Sequence, residues 1–330
     1  MVSLSEIYII SIIIPVHDTL KYLRKCLDSI RIQPIDNMEI IVVDDASTQD
    51  ICSIFQTYFN DSSLIYVRNE HMLGPGGARN KGLSIARGKY IGFCDSDDWV
   101  DYNFYSYSIL CMEETNADIG MCSQKREYDY TSDFPVYKCK YNELLSLNSD
   151  TIFRIMTYQY QLGIKVIPPC INKIYRRDFL MSINAHFEEN MFFQDVFFSC
   201  QTILAAKKII CIPNVEYHHY KRPHSVIQSY DQKHLADFVK LFTLIKDYLK
   251  KENLYEQYCF NYYKFLEHFY NIIIREIFEF ISDENDQKLF IADSLRAIKT
   301  LINFEEYIEY TTAEELRRHI QPHITDTTLY

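Results

Sequence analysis

Four short runs rich in β-branched and aromatic residues recur in the first hundred positions, at 9–16, 39–43, 64–67 and 90–94. Each has the length of a strand and turn residues at its ends. Between the first two, Leu20, Leu23, Leu27 and Ile30 recur at helical spacing. They predict an amphipathic helix with Asp18 as its N-cap. Ile51 and Phe55, with Tyr58 or Phe59, repeat that spacing behind Ser47 or Thr48, and 77–86 forms a third helical stretch. Strand alternating with helix at these lengths predicts an α/β fold: a parallel sheet with right-handed crossovers and helices on both faces. From about residue 126 the alternation lapses into short strands and loops. Beyond 230 the pattern is helical, with Leu235, Phe238, Leu241, Ile245 and Tyr248 in one apolar stripe and a longer aromatic stretch over 258–281. The expected organisation is an α/β domain over 1–229, divided near 125, followed by an α-helical region over 230–330.

Composition narrows the function classes. The 330 residues carry 34 Lys and Arg against 45 Asp and Glu, a formal charge of −11. Such a balance disfavours nucleic acid, whose phosphates are met by clustered cations. Local basic groups at Lys173, Arg176 and Arg177, and at Lys221 and Arg222, suit an anionic small molecule instead. Ten scattered cysteines show no C-x-x-C and no zinc-ligand spacing with His, so they read as small buried apolar residues in a reducing compartment. The longest apolar run, 7–16, is too short to span a bilayer and lacks a basic start. A cytoplasmic protein is expected.

Ligands of such sheets bind beyond the carboxyl ends of the strands. Those ends carry PVHD (15–18), DDAST (44–48) and DSDD (95–98), so acidic residues should converge on one edge of the sheet. Asp95 and Asp97 lie two apart in an extended segment and project to one side. Paired carboxylates repel unless a cation lies between them, and Mg2+ or Mn2+ completes such a site with substrate phosphates. A solvated turn capping the next helix is the plainer alternative. Six of the eight glycines lie between 74 and 92, just before this turn. In LGPGGARN, Gly76 and its neighbours permit a tight loop into a helix N-terminus suited to phosphate, with Arg79 as an oxyanion donor. Asp44 and Asp45 can accept hydrogen bonds from a ribose hydroxyl or a base N–H. SIIIPVHD stands where a nicotinamide-binding fold would place G-x-G-x-x-G, which argues against redox chemistry. His218, His219 and His224 invite a metal-ligand reading; a partly exposed strand end is the alternative.

The runs SIIIPVHD, EIIVVDDAST and GPGGARNKGLSIARGKYIGFCDSDDW together resemble the nucleotide-binding half of the family 2 glycosyltransferases, over residues 11–101. NKIYRRDFL (172–180), FFQDVFF (192–198) and YHHYKRPHS (217–225) extend the likeness more weakly. The resemblance implies a GT-A fold, a nucleotide-sugar half over 1–125, an acceptor half over 126–229, and inverting transfer from a UDP-sugar to a glycan or other hydroxyl acceptor in surface polysaccharide or glycoconjugate synthesis. It implies that Pro15, Val16 and His17 line the nucleoside pocket and that Asp45 contacts the uracil, with Asp44 structural or near the ribose. Gly76 and Arg79 would sit by the nucleotide, and Asp95 with Ser96 by the ribose or donor sugar. Asp97 would ligate Mn2+ or Mg2+, with His219 as a further ligand, and Asp195 would be the base. Arg222 and Ser225 would fall in a loop over the diphosphate, while Asp98 and Asp101 would cap and solvate the chain leaving the strand. Gln194 and His17 depart from the family's usual Glu and its usual Tyr or Asn. Peripheral contact at the inner face of the membrane and a homodimer through the C-terminal helices complete the expected partners. The rival readings are a nucleotidyltransferase, for which the first strand lacks a Lys-containing Gly-rich loop, and a non-catalytic sugar-nucleotide or glycan-binding protein.

Overall fold

Strand β1 (Ile10–Val16) is buried at every position, as its unbroken apolar run requires of a strand covered on both faces. The computed structural model describes residues 8–58, 62–128, 137–157, 164–221, 232–281, 283–303 and 305–307, and the statements below concern those residues. After β1 come α1 (Leu20–Arg31), β2 (Met38–Asp44), the short α2 (Cys52–Phe55), β3 (Leu64–Arg68), α3 (Gly74–Ile85) and β4 (Tyr90–Phe93). These strands pair in parallel in the order β3-β2-β1-β4. The chain then forms β5 (Trp99–Val100), α4 (Phe104–Thr115), β6 (Ile119–Glu127), β7 (Tyr137–Cys139), β8 (Leu145–Leu147) and α5 (Ser149–Met156). It continues through β9 (Lys173–Arg176), α6 (Arg177–Ser182), α7 (Gln194–Ala205) and β10 (Ile209–Tyr220).

The sheet is mixed rather than wholly parallel. Order β3-β2-β1-β4-β9-β6-β10-β5 inserts β9 antiparallel between β4 and β6. The clear alternation of the sequence lapses from about residue 126, ahead of β9, so periodicity does not report the direction of that strand.

Two compact units divide the chain. The first comprises Met1–Met156 and Gln161–Pro223, the second Thr157–Tyr160 and His224–Tyr330. In the second, α8 (Gln232–Lys251), α9 (Tyr255–Phe280) and α10 (Glu284–Leu301) pack on one another. Leu235, Phe238, Leu241 and Ile245 are buried as the stripe predicts, and Phe242 meets the rings of Tyr262, Phe265 and Phe269 edge-on at 5.8–5.9 Å. Tyr255 and Tyr263 both donate to Glu306. Among the described residues, Leu289 is the exposed large apolar side chain of these three helices, and no helix is long and apolar enough to cross a membrane. Of the ten cysteines, all free, nine are buried and Cys52 is exposed.

Candidate active site

Register alone gathers the acidic strand ends. Val16 of β1 pairs with Asp44 of β2, and Ile13 pairs with Phe93 of β4, so residues 15–18, 44–48 and 94–98 leave the sheet side by side. Pro15 and Val16 are buried in β1, while His17 is exposed and its Nδ1–H donates to the Asp45 carbonyl at 2.8 Å. Asp18 does not cap α1, whose N-cap is Thr19 without a side-chain bond. Its φ of 50° turns the carboxylate across the edge, where it accepts from Thr48 N–H, Thr48 Oγ1 and Gln49 N–H. Those bonds, led by that of Gln49, hold its pKa below the usual range.

Asp44 and Asp45 divide the work of this edge. Asp44 accepts from Ser47 N–H, from Tyr66 at 2.7 Å and from Arg68. Burial pushes its pKa upward, and these donors together outweigh burial and hold it low. Asp45 accepts from Asn69 Nδ2 at 2.8 Å and Leu73 N–H at 2.9 Å, anchoring the loop that enters α3.

The turn at 95–101 corrects one expectation. Asp98 is 1% exposed rather than solvated, because it accepts from Tyr217 Oη at 2.7 Å and Tyr220 N–H at 2.8 Å, both on β10. Burial first, and then the charges of Asp95 and Asp97, push its pKa well above the carboxylate range. Asp101 accepts from Glu216 N–H and meets His218 Nε2 at 2.8 Å, while His218 Nδ1 meets Glu127 at 2.9 Å. Burial opposes a charge on His218, but these two carboxylates prevail and raise its pKa. Ser96 is buried against Thr19, with 2.7 Å between the hydroxyls. Tyr217, which sequence did not single out, also accepts the Asp95 N–H at 3.0 Å; only its alternation on β10 could have signalled this.

Arg79, on α3, is 4% exposed and donates from Nη2 to Asp95 Oδ1 at 2.5 Å. Its Nε and Nη1 are buried without a hydrogen-bond partner. Burial weakens its charge, yet its pKa is raised in the field of Cys170, Asp95 and Asp195. Burial pushes the Cys170 thiol up to about 12 and keeps it neutral, so the two carboxylates hold the charge. Asp195 lies in the first turn of α7, and its charge reaches Arg79. Gly76, one turn before Arg79, explains the closeness. A Cβ there would lie 2.3 Å from the Glu188 carbonyl and 3.2 Å from Gln194 Cγ, so only glycine lets α3 approach the start of α7.

Two of the basic residues in NKIYRRDFL, Lys173 and Arg176, serve the interior of the sheet. Lys173 Nζ is buried and donates to the carbonyls of Ile167 and Pro169 and to Asn172 Oδ1, while Arg176 donates to the carbonyls of Ala117 and Met112. Burial pushes the Lys173 pKa down to about 8. Both residues belong to β9, whose place in mid-sheet demands internal partners. Arg222 and Ser225 lie outside the described residues, as does His224.

The acidic turn suits a divalent cation. Asp97 is half-buried, lines a cleft of about 240 Å3, and adds its charge to that of Asp95 at Asp98. A cation at Asp97 would relieve that repulsion. His219 alternates with His218 and so takes the Tyr217 face of β10, whereas Tyr220, which lines the cleft of Asp97, takes the His218 face. The ligand atoms of Asp101, Glu216 and His218 lie within 4.8 Å of one another. Both nitrogens of His218 already face carboxylates, which makes that group an ion-pair clamp and leaves no lone pair for a metal.

Residues 11–183 match the model of Glycosyl transferase family 2. The chain is 28% identical over 320 residues to the cholesterol galactosyltransferase of Borreliella burgdorferi, covering 92% of this chain and 87% of that one. It is 28% identical over 248 residues to the glycosyltransferase GlyG of Streptococcus pneumoniae, covering 71% and 78%. The structure superposes on S. aureus TarS 1-349 in complex with UDP with a TM-score of 0.68 at 22% identity, over 89% of this chain and 83% of that one. TarS has also been solved with UDP-GlcNAc. With the parallel strands, the acidic edge and this match over half its length, the chain belongs to glycosyl transferase family 2 and is a glycosyltransferase of GT-A fold, carrying a helical C-terminal region.

Proposed function

We propose that this enzyme is a metal-dependent inverting glycosyltransferase that moves a sugar from a UDP-sugar to a hydroxyl acceptor, serving surface polysaccharide or glycoconjugate assembly in the cytoplasm or at the inner face of the membrane. The observation that carries this reading is the position of Arg79, which donates to Asp95 and lies in the field of Asp195. Both the donor-side acid and the candidate base act on this one buried guanidinium. The uridine part draws support from TarS, which binds UDP and UDP-GlcNAc.

In this reading the nucleoside lies against Pro15, Val16 and His17 with Asp45, and Asp95 approaches the ribose or donor sugar. Asp97, with His219, would hold Mn2+ or Mg2+. Bound there, the cation would neutralise charge on the departing diphosphate. Asp195 takes the proton of the acceptor hydroxyl, whose oxygen forms a bond to C1 of the sugar as the bond from C1 to the diphosphate breaks. Attack from the face opposite the leaving group inverts the anomeric centre. Asp44, saturated by its own donors, holds the edge in shape instead of meeting the nucleotide.

A UDP-sugar panel with and without Mn2+ tests the assignment, scored by UDP release, by calorimetric UDP binding and by the anomeric configuration of the product. Asp97→Ala should weaken metal-dependent UDP binding. Asp195→Asn should keep that binding and lower transfer by about 10²–10⁴. Metal-independent binding, retention at C1 or full transfer by the Asn variant would overturn the reading.

A further inference from the structure

We propose that Tyr217 is the positioning residue of the acidic turn, setting Asp97 from β10 through a hydroxyl that never meets the substrate. The proposal rests on the reading above, in which Asp97 holds the cation, and adds the residue that aims it.

The Asp98 N–H donates to the Asp95 carbonyl at 3.0 Å, which closes a four-residue turn with Ser96 and Asp97 at its central positions. Both ends of that turn meet one phenol. Tyr217 Oη accepts the Asp95 N–H at 3.0 Å and donates to Asp98 Oδ2 at 2.7 Å. A hydroxyl can do both at a single atom, which a phenyl ring cannot. Tyr220 N–H adds a bond to Asp98 Oδ1 at 2.8 Å, so the carboxylate is held to β10 through each of its oxygens.

The remaining anchors leave Asp97 to be carried by this frame. Arg79 holds the Asp95 side chain from α3, and the Ser96 hydroxyl meets that of Thr19 at 2.7 Å. The strand behind the turn is a firm reference, because β10 pairs with β6 over 216–220 and with β5 at Tyr217 and His218. Tyr217 is 0% exposed, with Phe104 against its ring at 6.2 Å between centroids. It therefore touches neither cation nor substrate and acts through the turn alone. Groups that orient a metal ligand in this way commonly cost about 10–100-fold in metal affinity when removed.

Mn2+ binding is measured on the full chain with saturating UDP, from the electron paramagnetic resonance of free Mn2+, so neither acceptor nor turnover is needed. Tyr217→Phe keeps the ring and removes the hydroxyl, and Asp98→Ala removes the other half of the link. Each should bind Mn2+ about 10–100-fold more weakly. The double variant should bind no more weakly than the weaker single one, because both changes cut one link. Asp98→Asn, whose amide can still accept from Tyr220 N–H and donate to Tyr217 Oη, should stay within about threefold of the wild type. Gly82→Ala, which strains the packing of α3 on β1, is the control for lost stability and should bind as the wild type does. Trp99, the only tryptophan in the sequence, follows the turn directly, and its emission melt shows that each variant is folded. Wild-type Mn2+ binding by Tyr217→Phe, additive losses in the double variant, or an equal loss in Gly82→Ala overturns the proposal. If Tyr217→Phe does not fold, Asp98→Ala is set against Asp98→Asn, and equal binding by the two overturns it. Amide hydrogen exchange of the metal-free chain separates the proposal from the reading it rests on: Tyr217→Phe should quicken exchange at 95–98 by about tenfold or more. A wild type that binds no Mn2+, with exchange still quickened in Tyr217→Phe, supports the positioning role and overturns the metal reading instead. Unchanged exchange overturns the positioning role.

Discussion

Asp44 and Asp98 are both buried acids at the carboxyl edge of one sheet, with pKa values moved in opposite directions. Asp44 is met by three donors, including a cation, and its folded pKa is depressed. Its stabilisation is therefore present above the unfolded value near 4 and is lost as pH falls through the folded value. Asp44→Asn should cost about 2–3 kcal/mol at neutral pH and flatten the acid limb of a thermal-midpoint profile below about pH 5. Asp98 has neutral donors and two neighbouring carboxylates, so its folded pKa is raised. Its contribution is largest at low pH and declines as pH rises from the unfolded value through the folded one. Asp98→Asn should therefore change neutral-pH stability by less than about 1 kcal/mol, which the same melting series reads. Sequence placed both residues at the edge; it could not tell them apart, because the distinction lies in β10, more than a hundred positions away.

Helix α3 shows what an element adds to its residues. It starts in a glycine-rich run that reads naturally as a phosphate loop. In the structure two glycines of α3, one from that run and one beyond it, serve packing: Gly76 admits the Glu188 carbonyl, and Gly82 lies on β1, where a Cβ would come 2.4 Å from Ile13 Cγ2. Gly76→Ala should separate α3 from α7, disturb the Arg79–Asp95 contact and lower transfer more than UDP binding. Gly82→Ala should overpack the sheet by about 1–3 kcal/mol, seen in chemical denaturation, with site geometry kept. A similar lesson comes from β9, whose basic residues look like a ligand surface in sequence and serve backbone carbonyls in the sheet.

On the scale of the molecule, the sheet unit carries every described candidate site residue, and Trp99 belongs to it. A fluorescence-detected melt therefore follows this unit. UDP with Mn2+ at about 100 times its Kd should add roughly 2.7 kcal/mol to its stability, and chelation of the metal should remove most of that gain. A gain unaffected by the chelator would count against Asp97 as the metal ligand. The net charge of −11 disfavours a phosphate-backbone partner in bulk, while Lys21 and Lys25 stand beside Asp97.

Sequence by itself determined the four parallel strands, the helices between them and the edge at which Pro15–Asp18, Asp44, Asp45 and Asp95–Asp98 emerge. These follow from local periodicity and from the rule that binds ligands beyond parallel strand ends. Tertiary structure alone decided the burial of Asp98, the clamp on His218, the antiparallel insertion of β9 and the exposure of Arg79 to the charge of Asp195. Each depends on contacts between residues tens to more than a hundred positions apart, and the desolvation and hydrogen bonds that set a charge's state arise only when those contacts close.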